Sequence, residues 1–137
     1  MICEEVKEGE KSLIGMIEKI VGGKVEYTSE CKERKEVHLR SRLLPTKFRN
    51  PPCLKVFCED GNCNVEIIIE RTSPAKVKEI RNRAREKGYF VSSCEFRPLF
   101  MCYDESRSVV IGGFARIGDL PEKVEEMVGW FRREFDR

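Results

Sequence analysis

The side chains best equipped for chemistry in this sequence are seven cysteines, at positions 3, 31, 53, 58, 63, 94 and 102, and a single histidine, His38. Two of the cysteines have a calculable relationship. Asp60-Gly61 has the composition of a two-residue hairpin turn, because glycine tolerates the positive φ that a type I′ turn needs. Such a turn sets Cys58 opposite Cys63, Val56 opposite Val65 and Leu54 opposite Ile67. A cysteine pair in that position is of the non-hydrogen-bonded kind, with Cα atoms about 4.5 Å apart, within the range a disulfide spans. Cys58 and Cys63 are therefore a candidate cross-strand disulfide, against the ordinary reading of two small apolar side chains filling a core. Cys94 and Cys102 also flank a turn, Arg97-Pro98-Leu99, but it lacks the glycine such loops usually carry.

Other chemistries fit less well. The spacings Cys-x4-Cys and Cys-x7-Cys differ from zinc-knuckle spacings, and no metal or other cofactor is expected. His38 alternates with residues of a wet strand face beside Arg40 and Arg42, so it reads as a solvated side chain rather than a catalytic base. No phosphate loop, dinucleotide fingerprint or nucleophile elbow occurs. Asp60, Glu66 and Glu70 before a helix have the layout of a metal-dependent nuclease, but the lysine that should follow two residues after the acid is missing: Ile68 follows Glu66 and Thr72 follows Glu70. An enzyme is thus the third choice.

Charge is distributed in blocks. Lys and Arg total 26 and Asp and Glu 24, a net of +2. Residues 31–55 nevertheless carry +6 and residues 71–97 carry +5, against −4 in residues 56–70. A nucleic-acid surface would use Arg40 and Arg42, Lys47 and Arg49 around Phe48 as a base-stacking platform, and Lys78, Arg81 and Arg85 on the following helix, provided these groups share one surface. The competing reading is that they are ion-paired, snorkelling surface side chains. Trp130 lies about a third of a turn off the apolar stripe of the last helix, beside Met127, so either it marks a surface for a protein partner or a second copy of the chain, or a neighbouring strand or loop covers it.

The elements that must position these residues follow from periodicity. Leu13, Ile14, Ile17, Ile20 and Val21 repeat at helical spacing, predicting a helix over about 10–21 that Ile2 and Val6 would extend backward. Period-two alternation over 25–31 and 37–43 predicts a hairpin with one wet face. Three prolines between 45 and 52 make the next segment a loop. The Asp60-Gly61 hairpin follows, with Lys55 facing Glu66 as a cross-strand ion pair. Ser73-Pro74 opens a helix that Gly88 closes. Strands are expected at 89–96, 99–104 and 109–116. A capping-box-like Asp119…Glu122 then starts the last helix, with Leu120, Val124, Met127, Val128, Phe131 and Phe135 as its apolar face.

The order α-β-β-β-β-α-β-β-β-α is that of a single α+β domain, residues 1–137, an antiparallel sheet packed by helices. It resembles the element order of profilin-like and roadblock-type interaction modules and of small secretion chaperones. No motif of those families accompanies it, so the resemblance carries no function. The sequence contains no glutamine and only four asparagines among its many Lys, Arg and Glu, a thermophile's pattern. Abundant cysteine is compatible with the cytoplasm of such an organism, and the acidic start lacks a secretory signal. The resulting expectation is a small interaction or assembly module of a thermophile cytoplasm that binds a protein partner or itself as a homodimer, with a nucleic-acid binder as the runner-up and no membrane partner.

Overall fold

Asp60 and Gly61 both adopt positive φ, 52° and 82°, and the hairpin they close has the register expected from that turn: Cys58↔Cys63, Val56↔Val65, Lys55↔Glu66 and Leu54↔Ile67. The computed structural model describes residues 8–22, 24–31, 35–96 and 101–136, and of residues 8–11, 27–31 and 35 it describes the backbone. The elements are α1 (Glu8–Val21), β1 (Glu26–Cys31), β2 (Lys35–Arg42), β3 (Cys53–Glu59), β4 (Asn62–Ile69), α2 (Pro74–Lys87), β5 (Phe90–Ser92), β6 (Val109–Arg116), a 3-10 turn (Ile117–Asp119) and α3 (Leu120–Phe135). The strands form one antiparallel sheet in the order β1-β2-β3-β4-β6-β5. The backward extension of α1 through Ile2 and Val6 and the first hairpin's tip at 32–34 lie outside the described residues.

Two layers result. Alternate residues of the strands (Val37, Leu39, Leu54, Val56, Val65, Ile67, Val109, Ile111) join Ile17 and Val21 of α1, Val77, Ile80 and Ala84 of α2 and the apolar face of α3 in one core. All three helices therefore cover the same face of the sheet. Burying these stripes supplies most of the helices' stability, because short isolated helices are marginal in water. Local signals agree with it at α2. Ser73 Oγ accepts a hydrogen bond from Lys76 N at 3.2 Å, and Gly88 closes the helix in the left-handed conformation at φ 95°. Gly113 has a packing reason: a Cβ there would stand 2.9 Å from Met127 Sδ, so its absence lets α3 lie close on β6.

Three expectations need correction. The Asp119 side chain makes no capping hydrogen bond, because a 3-10 turn precedes α3 and gives Asp119 a φ of −104° and ψ of 5° instead of the extended cap geometry. The strand expected at 99–104 is not an element of the sheet. Its described part contributes a single bridge, Cys94↔Cys102, and the turn 97–100 lies outside the described residues. Of the two readings of Trp130, the partner surface gives way to cover from within the chain: it is buried at 6% exposure, because Tyr89 and Phe135 pack edge-on against its ring at 5.1 and 5.5 Å. Met127 is fully buried under β6. Neither residue offers a dimer contact, since the junction of α2 and β5 supplies the cover that the helix alone lacks. No helix among the described residues is long and apolar enough to cross a membrane.

Candidate functional site on the outer face of the sheet

Side chains alternate across the pleat, so the residues that skip the helical core point to the opposite, outer face. These include Arg40 and His38 on β2, Lys55 and Phe57 on β3, Asn64, Glu66 and Ile68 on β4, and Val110, Gly112 and Phe114 on β6. After β5 the chain leaves the sheet edge as a short two-armed ribbon. Glu95 N donates to Met101 O at 2.8 Å, Tyr103 N donates to Ser93 O at 2.9 Å, and a disulfide joins Cys94 to Cys102. This ribbon crosses the outer face. Its Glu95 reaches Lys55 on β3 (3.6 Å) and Arg40 on β2 (3.7 Å), while Phe96 N donates to Glu66 on β4 at 3.1 Å.

The ribbon thus roofs a charged cluster. Lys55, Glu66 and Glu95 are exposed by only 6%, 5% and 1%. Lys55 Nζ lies 4.0 Å from Glu66 and 3.6 Å from Glu95, in ion-pair range but without a hydrogen bond to either. Burial raises the Glu66 carboxyl above its ordinary range, opposed by the Phe96 amide and by Lys55. The Tyr103 hydroxyl is pushed up to about 12 by burial and by the Glu95 and Glu70 carboxylates. Burial also raises the Cys53 thiol, against the lowering effect of Arg40. The expected Lys55–Glu66 cross-strand pair is present. Glu95 joins it from 40 positions away in sequence, a contact that no local pattern announces.

Beside the roof, a groove of about 450 Å³ runs between the ribbon and the β5–β6 edge. Cys94, Glu95 and Phe96 form one wall, Phe90, Ser92 and Phe114 the other, with Val110, Gly112 and Glu66 also lining it. Its rim is aromatic and open: Phe90, Phe96 and Phe114 are 63%, 49% and 55% exposed. Phe90 and Phe114 meet edge-on at 5.0 Å.

The residues singled out by sequence fall in different places. Cys58 and Cys63 form the candidate disulfide rather than two free core thiols, with Cα atoms 4.0 Å apart, on the core face. Cys94 and Cys102 form a second one despite the turn without glycine. The basic residues do not share a surface. Arg40 and Arg42 line a recess on the outer face with Lys24, Asn50, Cys53 and Glu70, whereas α2, bearing Lys78, Arg81 and Arg85, packs on the helical face. Arg81 is engaged with the carbonyls of Glu105 (2.7 Å) and Ser108 (3.3 Å). Phe48 is stacked on Phe131 at 5.5 Å and half-buried, so it is no platform for a base, while Lys47 and Arg49 flank it in the exposed loop near the end of α3. His38 is not the solvated side chain expected. It lies 3.6 Å from Glu36 and packs edge-on to Phe57 at 5.0 Å. Asp60 occupies its turn, Glu66 faces Lys55, and Glu70 lines the separate recess near Arg40, so these acids do not converge. Among the described residues no group of three or more His, Cys, Asp or Glu is placed to hold a metal ion.

No family model, curated protein or solved structure matches the chain.

Proposed function

We propose that the chain is a protein-interaction module whose working surface is the aromatic groove of the outer face, and that its occupant is an extended segment of a partner protein presenting an aliphatic or aromatic side chain. The observation that carries this reading is the convergence of three exposed phenylalanines on one groove. Large exposed apolar side chains clustered at a concavity mark binding surfaces, whereas scattered ones do not. The choice of an extended segment follows from the neighbouring edge. Among the described residues β5 pairs with β6 alone and ends the sheet. A partner strand can therefore take up β5's free main-chain groups while a side chain enters the groove. The buried Lys55–Glu66–Glu95 cluster has the role of holding the groove's ribbon wall in place. A lysine- and glutamate-rich composition poor in amide side chains, together with paired cysteines, supports placing the module inside a thermophile.

The test is selection of peptides from a random display library on the native protein, followed by mapping of the bound site by amide chemical shifts. Selected peptides sharing an apolar anchor and shifting Phe90, Val110, Gly112 and Phe114 are expected. Shifts confined to another surface would reject the reading. Concentration-dependent shifts of the same residues without peptide would identify a second copy of the chain as the occupant.

A further inference from the structure

The two disulfides among the described residues sit in opposite environments. Cys58 and Cys63 are 1% and 2% exposed within the helical core. Cys102 is exposed and Cys94 is half-buried at the groove. A thiolate must reach a sulfur along the S–S axis to exchange with it, so access decides which bond reacts in the folded protein. From this contrast we infer that Cys94–Cys102 is a thiol–disulfide exchange site, taken by a dithiol reductant, whose opening loosens the ribbon wall of the groove.

The chemistry balances with that reductant. One thiolate of the dithiol attacks Sγ of Cys102, the more exposed residue of the pair, and the Cys94 sulfur leaves as a thiolate and takes up a proton. The second thiol of the reductant then attacks the mixed disulfide, closes the reductant's own disulfide and releases Cys102 as a thiol. The protein bond gains two electrons and two protons, and the dithiol loses them.

Structural consequences follow from what the arms carry. Besides the disulfide, the Glu95 N–Met101 O and Tyr103 N–Ser93 O hydrogen bonds link them, and Arg40 engages both Glu95 and Tyr103. Two-stranded ribbons are marginal in water without further support. The first arm carries Glu95 and Phe96, which reach Lys55, Arg40 and Glu66. Opening the bond therefore acts on the charged cluster and on the wall that Cys94, Glu95 and Phe96 give the groove. The effect on partner binding rests on the proposed function; the exchange site itself does not.

The experiment treats the full chain, native and oxidised, with increasing dithiothreitol, quenches with iodoacetamide and assigns the alkylated cysteines by peptide mass mapping. Alkylation of Cys94 and Cys102 at reductant levels that leave Cys58 and Cys63 intact is expected, at least tenfold apart in rate. Simultaneous reaction of all four, or earlier reaction of Cys58 and Cys63, would overturn the proposal. Amide shifts of the selectively reduced protein should change at 93–96 and 101–104 and at Lys55 and Glu66; unchanged shifts there would overturn the structural consequence. A double Cys94→Ala/Cys102→Ala variant should reproduce the reduced spectrum. A selected peptide should bind the reduced form at least tenfold more weakly, and equal affinity would overturn control of the groove. Failure of the binding reading shows separately, as no peptide bound to the oxidised protein while the two disulfides still reduce in sequence.

Discussion

Replacing Lys55 by methionine removes the ammonium that stands between Glu66 and Glu95, 4.0 and 3.6 Å away, and keeps most of its apolar stem. Both carboxylates are at least nine-tenths buried. Arg40 still approaches Glu95 at 3.7 Å, but its side chain is 46% exposed and solvent-screened. Breaking a buried pair by deleting one partner costs roughly 3–5 kcal/mol, because the remaining charge stays desolvated. The residual Arg40 contact argues for the lower end, about 3 kcal/mol at pH 7. The pH dependence has a definite sign. A carboxyl whose folded pKa lies above its unfolded value holds more protons in the native state across that window. Stability then falls as pH rises from about 4.5 toward the folded pKa. Lys55→Met removes a cation that holds the Glu66 carboxyl down, so Glu66 rises further and the cost, full at pH 7, shrinks toward pH 4 as Glu66 protonates. Urea denaturation of both proteins at pH 7 and pH 4 reads this out. A companion triple variant, Lys55→Met/Glu66→Gln/Glu95→Gln, should recover most of the loss at pH 7, since an isolated charge no longer remains. A Lys55→Met cost below about 1 kcal/mol at pH 7, or one that is equal at both pH values, would refute the view that these charges are mutually dependent.

Other substitutions test the packing. Gly113→Ala should destabilise by about 1–3 kcal/mol in thermal denaturation, because its Cβ meets Met127 Sδ at 2.9 Å. Trp130→Ala should cost about 3–5 kcal/mol as a core truncation and leave the oligomeric state, read by light scattering, unchanged. Ser73→Ala removes the side-chain cap of α2 and should cost about 1 kcal/mol in urea denaturation. Phe114→Ser should move stability by no more than about 1 kcal/mol, since more than half of the ring is already in water, yet weaken a groove-bound peptide markedly in a titration.

Legibility from sequence tracked the range of the interactions. The Asp60-Gly61 turn fixes its own register within a few residues, so the Cys58–Cys63 pairing and the Lys55–Glu66 contact follow from local chemistry. The ends of α2 are equally local: the Ser73 cap and the Gly88 stop both form. The path of the ribbon is not. Its arms pair with each other and then dock on strands β2, β3 and β4, so Glu95 reads as an ordinary charged strand residue until the fold carries it to Lys55. Its turn also lacks the glycine that would have signalled tight pairing of Cys94 with Cys102. Trp130 could not be decided locally for the same reason: the helix's own stripe omits it, and Tyr89 from outside the helix joins Phe135 in covering it. The basic blocks are contiguous in sequence but divided in space, because the sheet lies between β2's outer face and α2. The groove has no local signature either, because β5 and β6 line one side of it and the ribbon lines the other.

The central claim is that the aromatic groove is where this protein meets its partner. Its most direct test is a titration of one library-selected peptide into the wild-type chain and into a Phe90→Ser/Phe114→Ser variant confirmed to be folded by its amide spectrum. Saturable binding to the wild type with shifts at Val110 and Gly112, reduced at least tenfold in the variant, is the predicted result. Equal affinity for both proteins would contradict it.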